Sequence, residues 1–166
     1  MRKAGSVLMA ALLALPLAWA QAQKPTDDGW PELLPPGEGR ELVLTSCASC
    51  HNLKSTVHER KSRAEWAKTV NDMILRGAPI FPEEIEPITA YVSRAFGSTV
   101  PKLLNVNTAT GEELEKLPNL KPEAVARLLE LRRKAGPFKN AQELRQALGN
   151  EGDEFEKIRY FLKYKN

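Results

Sequence analysis

The five residues Cys47-Ala48-Ser49-Cys50-His51 constrain this chain more than any other stretch. Two thiols three positions apart, followed at once by an imidazole, make the C-x-x-C-H pattern through which a c-type haem is attached to a polypeptide. The chemistry needs each residue type where it stands. Each thiol can add to one of the two vinyl groups of a porphyrin, and the histidine beside the second thiol is placed to ligate the iron. Such a chain folds around a large apolar disc as well as around its own side chains. Cys47 and Cys50 are the only cysteines, and His58 is the only other histidine. A zinc site from these four would have to be Cys2His2 with very tight spacing. A redox-active Cys47–Cys50 disulfide would be expected near a βαβ pattern, and none follows.

The beginning of the chain sets the compartment. Arg2 and Lys3 precede an apolar run from Val7 to Leu17, broken by Pro16, and Ala18-Trp19-Ala20 offers a small-x-small cleavage site, with Ala22 as a second. Residues 1–22 therefore read as a secretory signal. The run is shorter than the roughly 20 apolar residues that span a bilayer, so no membrane span is expected after cleavage. A bacterial periplasm, where c-type haem is attached, is the expected location.

What is left, about 145 residues, suffices for one ordinary domain or two small ones. Residues 23–100 carry 9 Lys/Arg against 11 Asp/Glu, and residues 101–166 carry 13 against 10. Neither half is charged strongly enough to require a nucleic acid or an acidic partner, although the second permits either.

Residues 23–36, rich in Pro, Gly and Asp, read as an extended lead-in. Residues 37–46 read as a short helix entering the motif, with Leu42 and Val43 as core positions, and residues 52–61 as a polar loop. Ser62-Arg63-Ala64-Glu65 matches a capping box. Trp66, Val70 and Met73 then follow at i, i+4 and i+7 on one helical stripe, which Gly77, Pro79 and Pro82 end. A third helix spans about 83–96, with Ile85, Ile88, Val92 and Phe96 on its apolar face and Gly97 as its stop. Met73 is the only methionine outside the signal. A methionine on such a stripe is usually core filler, but an electron-transfer haem needs a sixth ligand, and Met73 is the candidate to join His51 on the iron. His58 is the rival, although seven residues after His51 it would need a very tight return. A sixth site left open would instead suit a haem sensor. Trp66 serves both as core and as haem-pocket wall.

Gly39, eight positions before Cys47, together with a closing helix that carries Tyr91, resembles a class I cytochrome c. There the glycine implies a close crossing of the two terminal helices. Glu65-Trp66, Thr69-Val70, Met73, Gly77-Ala78-Pro79-Ile80, Tyr91-Val92 and Phe96-Gly97 resemble the haem subunit of bacterial sulfite:cytochrome c oxidoreductases. That resemblance implies His51 and Met73 as axial ligands and a molybdenum-cofactor oxidoreductase as electron donor.

The remaining residues, 101–166, punctuate differently. Thr110-Gly111-Glu112-Glu113 is a second capping box, with Leu114 and Leu117 on one face. Pro118 to Lys121 reads as a tight hairpin, with Pro122 at the first helical position. The next helix buries Val125, Leu128 and Leu129 and stops at Gly136. Asn140 caps another, with Leu144 and Leu148 inside. Residues 149–152 read as a second hairpin, and Phe155, Ile158 and Leu162 form the apolar face of a last helix. Asn105–Ala109, Leu117-Pro118, Gly136-Pro137-Phe138 and Glu143-Leu144 resemble a paired helix-hairpin-helix module of the ComEA type. In that family a glycine-bearing hairpin can hold DNA phosphates by its backbone N–H groups. This chain departs from it, with Asn119 and Lys121 at glycine positions and with Glu151 and Asp153 near Gly149 and Gly152. Protein docking is therefore the first expectation for this module and DNA the second. The Arg132-Arg133-Lys134 run reads as a solvated helix end favoured by the dipole.

The expected fold is all-α, a small cytochrome c domain at 37–100 followed by a paired helix-hairpin-helix domain at 101–166. The expected function is periplasmic electron transfer with one covalent haem c and no catalysis of its own. Cys47, Cys50, His51, Met73 and Trp66 bind the cofactor, and a redox protein is the partner. The alternative is an exported DNA-binding helix-hairpin-helix protein that carries a haem domain.

Overall fold

The computed structural model describes residues 29–148, 155–156 and 158–164. The signal at 1–22, residues 23–28 of the lead-in, and the second hairpin with Gly149, Glu151, Gly152 and Asp153 lie outside them. The described chain is mostly helical and buries two separate apolar clusters, one drawn from residues 34–96 and one from residues 106–162.

The first cluster is built by four helices. Helix α1 (Arg40–Leu42) continues in wider π-type turns through Val43–Cys47 and delivers the first thiol. Helix α2 (Lys54–His58) occupies the stretch expected to be a loop. Its composition is polar, but Leu53 and Val57 stand at i and i+4 and both are buried. Two apolar side chains on one face were enough to pin a single turn and a half. Helix α3 (Arg63–Leu75) opens with the expected capping box: Glu65 N–H donates to Ser62 Oγ, and Ser62 N–H donates to the Glu65 carboxylate at 2.8 Å. The Ser62 hydroxyl, which also donates to this carboxylate at 2.7 Å, and the Ser62 N–H together hold the Glu65 carboxyl below its ordinary pKa. Helix α4 (Ile85–Ala95) follows a 3-10 turn at Pro82–Glu84 and packs against α3. It buries Ile88, Tyr91 and Val92, and Phe96 follows at its end.

Helix α1 meets α4 at Gly39. The residue sits at φ +87°, and a Cβ there would lie 2.5 Å from the Pro87 carbonyl oxygen and 2.8 Å from Tyr91 Cβ. Only a residue without a side chain allows that approach. Tyr91 locks it from the other side, its hydroxyl donating to Pro35 O at 2.7 Å. The exposed Arg63–Glu86 ion pair ties α3 to α4, a link of the kind that contributes little.

The second cluster gathers around helices α5 (Gly111–Glu115), α6 (Pro122–Ala135) and α7 (Ala141–Leu148). Thr110 and Glu113 form the expected capping box, and Asn140 Oδ1 accepts from Glu143 N–H at 2.9 Å. The all-α expectation needs one correction. Strand β1 (Leu104–Asn105) pairs in parallel with β2 (Leu162–Lys163), in the register Leu104 to Leu162 and Asn105 to Lys163. Leu162 therefore fills the core from a strand, after a 3-10 turn at Arg159–Phe161, and not from the last helix. The strands close the module by joining its two ends, and Asn107 reinforces them. Its side chain donates to Phe138 O and Tyr164 O and accepts from Phe138 N–H.

Between the clusters Arg60 acts as a clamp. Its guanidinium donates to Pro101 O at 2.8 Å and to Val57 O at 2.9 Å, with Phe96 beneath it. Among the described residues no helix is long and apolar enough to cross a membrane.

Candidate cofactor site

Cys47, Cys50, His51, Trp66 and Met73 all line one cavity of about 350 Å³. They come from two stretches, the π-type turns with the residues that follow them and helix α3. The π-type turns end on Cys47, half-buried against the first cluster. Burial pushes its thiol up to about 11, so this sulfur is held as the neutral S–H. Cys50 is exposed, and both cysteines are free thiols.

His51 follows at the cavity mouth. Its Nδ1 lies 2.7 Å from the Asn52 carbonyl oxygen. A carbonyl can only accept, so Nδ1 carries a proton, and in the neutral ring the lone pair is on Nε2. This is the arrangement in which a backbone carbonyl orients a metal-ligating imidazole.

Met73 is fixed by the way α3 ends. Ala78 N–H donates to Met73 O at 3.0 Å and Gly77 N–H to Ile74 O at 2.9 Å, a Schellman motif with Gly77 at φ +91°. The Met73 backbone is thus held by the C-terminal lock of its own helix. The chain then returns past the same cavity through Ala78 and Ile80.

Trp66, Val70, Ile88 and Val92 form the apolar wall, and all four belong to the buried core. Trp66 is at once a core residue and a wall of the cavity. Its indole N–H is spent on Phe96 O at 2.9 Å, so it shapes the cavity with its ring face and has no donor left for a ligand.

His58 does not join this group. Its Nδ1 bonds back to Lys54 O at 2.8 Å and its ring packs on Trp30 at 5.1 Å. It borders a separate shallow hollow that it shares with His51. Among the described residues no group of three His, Cys, Asp or Glu side chains forms a metal-binding cluster. An iron inside a porphyrin needs only two ligands from the protein. The donor set here, two thiols, one oriented imidazole and one thioether around an apolar cavity, fits a c-type haem. A wider hollow of about 570 Å³ lies between residues 29–33 and the C-terminal segment, but no thiol, imidazole or thioether lines it.

In the second module the first hairpin is formed although the glycines are missing. Asn119 takes φ +62°, a left-handed conformation that asparagine tolerates better than most residues. Lys121 N-caps α6 and Pro122 starts it. Arg132 is not the solvated side chain that was expected. It donates to Val106 O at 3.1 Å and to Ala109 O at 2.8 Å. Lys134 pairs with Glu130, while Arg133 is exposed. Nothing local marks Arg132 for this role, since its acceptors lie more than twenty residues away.

Comparison with known proteins separates the two modules. Residues 101–163 match the family model described as the helix-hairpin-helix motif. No curated protein and no solved structure matches the chain.

Proposed function

We propose that residues 37–100 hold one covalent haem c and that the protein is an exported, periplasmic one-electron carrier. It would serve as the cytochrome partner or subunit of an oxidoreductase, with a molybdenum-cofactor enzyme as the first candidate donor. The observation that carries this reading is the convergence of Cys47, Cys50, His51 and Met73 on a single apolar cavity. The close crossing at Gly39 adds support, because it brings α1 and α4 together in the way the class I cytochrome resemblance implies.

Bound in the cavity, the cofactor supplies an iron that gains and loses one electron reversibly. The chain's own residues do the rest. Cys47 and Cys50 would hold the cofactor, each sulfur joined to a former vinyl carbon as a thioether and the thiol hydrogen on the neighbouring carbon, so that no electron is gained or lost. His51 offers Nε2 while Asn52 O holds its other nitrogen. Met73 offers its sulfur from the locked end of α3, and a Met/His pair raises the reduction potential. Trp66, Val70, Ile88 and Val92 would give the cofactor an apolar wall to pack against.

The test is direct. Produced with a haem-maturation system, the protein should weigh one haem more than its processed chain and stay coloured through denaturing electrophoresis. A colourless product of chain mass would end this reading. In a coloured one, Met73→Ala should remove the near-infrared methionine–iron band and lower the potential, and an unchanged spectrum would dismiss Met73 as ligand.

A second reading concerns residues 101–163. The family match supports the alternative, DNA binding, more directly than it supports electron transfer. The left-handed Asn119 is the geometric observation in its favour, since it gives the hairpin the backbone turn that the family obtains from glycine. An electrophoretic shift with duplex DNA over a salt series decides it, because phosphate binding weakens steeply as salt rises. Without a shift at low salt, protein docking is the role left to this module.

A further inference from the structure

We infer that Lys61 is the residue that receives a carboxylate of the bound cofactor inside the cavity, an assignment that rests on the haem reading above. Lys61 lies outside the attachment motif, but three contacts hold it at the cavity wall. Its backbone N–H donates to Phe96 O at 3.2 Å, and the residue bridges Gly97 in parallel. Its ammonium stands 5.0 Å from the centre of the Trp66 ring. Its Nζ donates to Thr69 Oγ1 at 3.2 Å, and that hydroxyl donates in turn to Glu65 O at 2.9 Å, which leaves its lone pairs toward the ammonium.

None of these partners carries a negative charge, and among the described residues Lys61 makes no ion pair within 4 Å. An ammonium has three protons to donate, and one goes to Thr69. A half-buried cation without a counter-ion is costly beside apolar walls. A haem c carries two propionate carboxylates, which are the charge this corner lacks. The tryptophan N–H that could have served them is already committed to Phe96 O. The other ionisable groups that face the cavity are Glu59, Arg76, His51 and the two thiols, with Glu59, Arg76, His51 and Cys50 all exposed. Glu65 lies close enough for Lys61 to help lower its pKa, but its carboxylate is held by Ser62.

The test compares haem-loaded wild type with Lys61→Met, Lys61→Arg and the exposed control Lys68→Met. A cation at the cofactor favours the added electron. Lys61→Met should therefore lower the midpoint potential by several times the change seen in Lys68→Met, and Lys61→Arg should restore most of it. A carboxylate deprived of its cation takes up a proton about one to three pH units higher, so the potential of Lys61→Met should acquire a slope with pH between about 5 and 8 that wild type lacks. A Lys61→Met protein with an unchanged potential and pH profile, even if less thermostable, would reduce Lys61 to packing on Trp66 and overturn the assignment. The same profile change in Arg76→Gln but not in Lys61→Met would move the carboxylate to Arg76 and overturn it as well. A wild-type protein that takes up no haem would defeat the reading beneath, and this inference with it, at the first measurement.

Discussion

The two halves of the molecule bury apolar side chains to similar depth, and to different ends. In residues 106–162 the core closes on itself. Val106, Leu114, Leu128, Leu144, Ile158 and Leu162 are each at most 1% exposed, and a pair of two-residue strands seals the ends. In residues 34–96 the buried side chains Trp66, Val70, Ile88 and Val92, each at most 5% exposed, line a cavity of about 350 Å³. Protein interiors seldom leave such voids, because every wall atom loses its contacts on that side. The unfinished core carries the sulfurs and the imidazole. The finished core carries none, so whatever the second module recognises must meet its surface.

The most severe way to test this contrast is to withhold the cofactor. In a Cys47→Ser/Cys50→Ser double variant, residues 29–100 should lose protection against proteolysis and hydrogen exchange while residues 101–163 keep theirs. Equal protection of both halves would show that the first core is complete without a ligand, and the contrast would fail.

Paired truncations sharpen it next. Leu144→Ala removes a fully buried side chain from the closed core and should cost about 2–5 kcal/mol, with the visible spectrum unchanged. Met73→Ala should do the reverse, altering spectrum and potential with a smaller change in thermal unfolding of the second module. If both variants shifted both readouts alike, the two cores would be one cooperative unit.

What could be read from the sequence divides along physical lines. Both capping boxes, Ser62/Glu65 and Thr110/Glu113, were legible because a cap is settled within four residues. The stripe of Trp66, Val70 and Met73 was legible because helical period places it on one face, and the cavity then gathers it with Cys47–His51. Helix α2 was missed because its two apolar anchors, Leu53 and Val57, sit inside a polar run that gives no periodic signal. The β1–β2 pair was missed because its partners are 58 positions apart and each strand has only two residues, too short for alternation to register. Lys61 gave no signal either. Its place depends on a bridge to Gly97 and on the ring of Trp66, which are tertiary facts.

Glycine offers a finer comparison inside the first half. Gly39 and Gly77 both have positive φ, at +87° and +91°, but a Cβ on Gly77 meets nothing within 4 Å while one on Gly39 strikes Pro87 and Tyr91. Gly77→Ala should cost about 1–2 kcal/mol, the conformational penalty alone. Gly39→Ala adds overpacking of about 1–3 kcal/mol, for a total near 3 kcal/mol or more in thermal or denaturant unfolding. Equal costs would mean that α1 and α4 can part without loss, and the crossing would no longer count in favour of the haem reading.

The smallest effect separates two neighbouring arginines and bears on what the second module recognises. Arg132 is half-buried and satisfies the carbonyls of Val106 and Ala109. Arg132→Ala leaves both acceptors without their charged donor and should destabilise the module by about 1–3 kcal/mol. Arg133 is exposed, and Arg133→Ala should stay within about 0.5 kcal/mol of wild type. With Lys134 paired to Glu130, Arg133 is the member of the run best placed to meet a phosphate. If the module binds duplex DNA, Arg133→Ala should weaken binding evenly across sequences and reduce the salt slope by about 1, with folding untouched. Arg132→Ala should weaken binding only as far as it unfolds the module. A loss of affinity in Arg132→Ala beyond its loss of folded protein would place Arg132 in the interface in spite of its two carbonyl partners. No change in either variant, with binding intact, would move the contact to the hairpin around Asn119, where backbone N–H groups and not basic side chains would hold the phosphate.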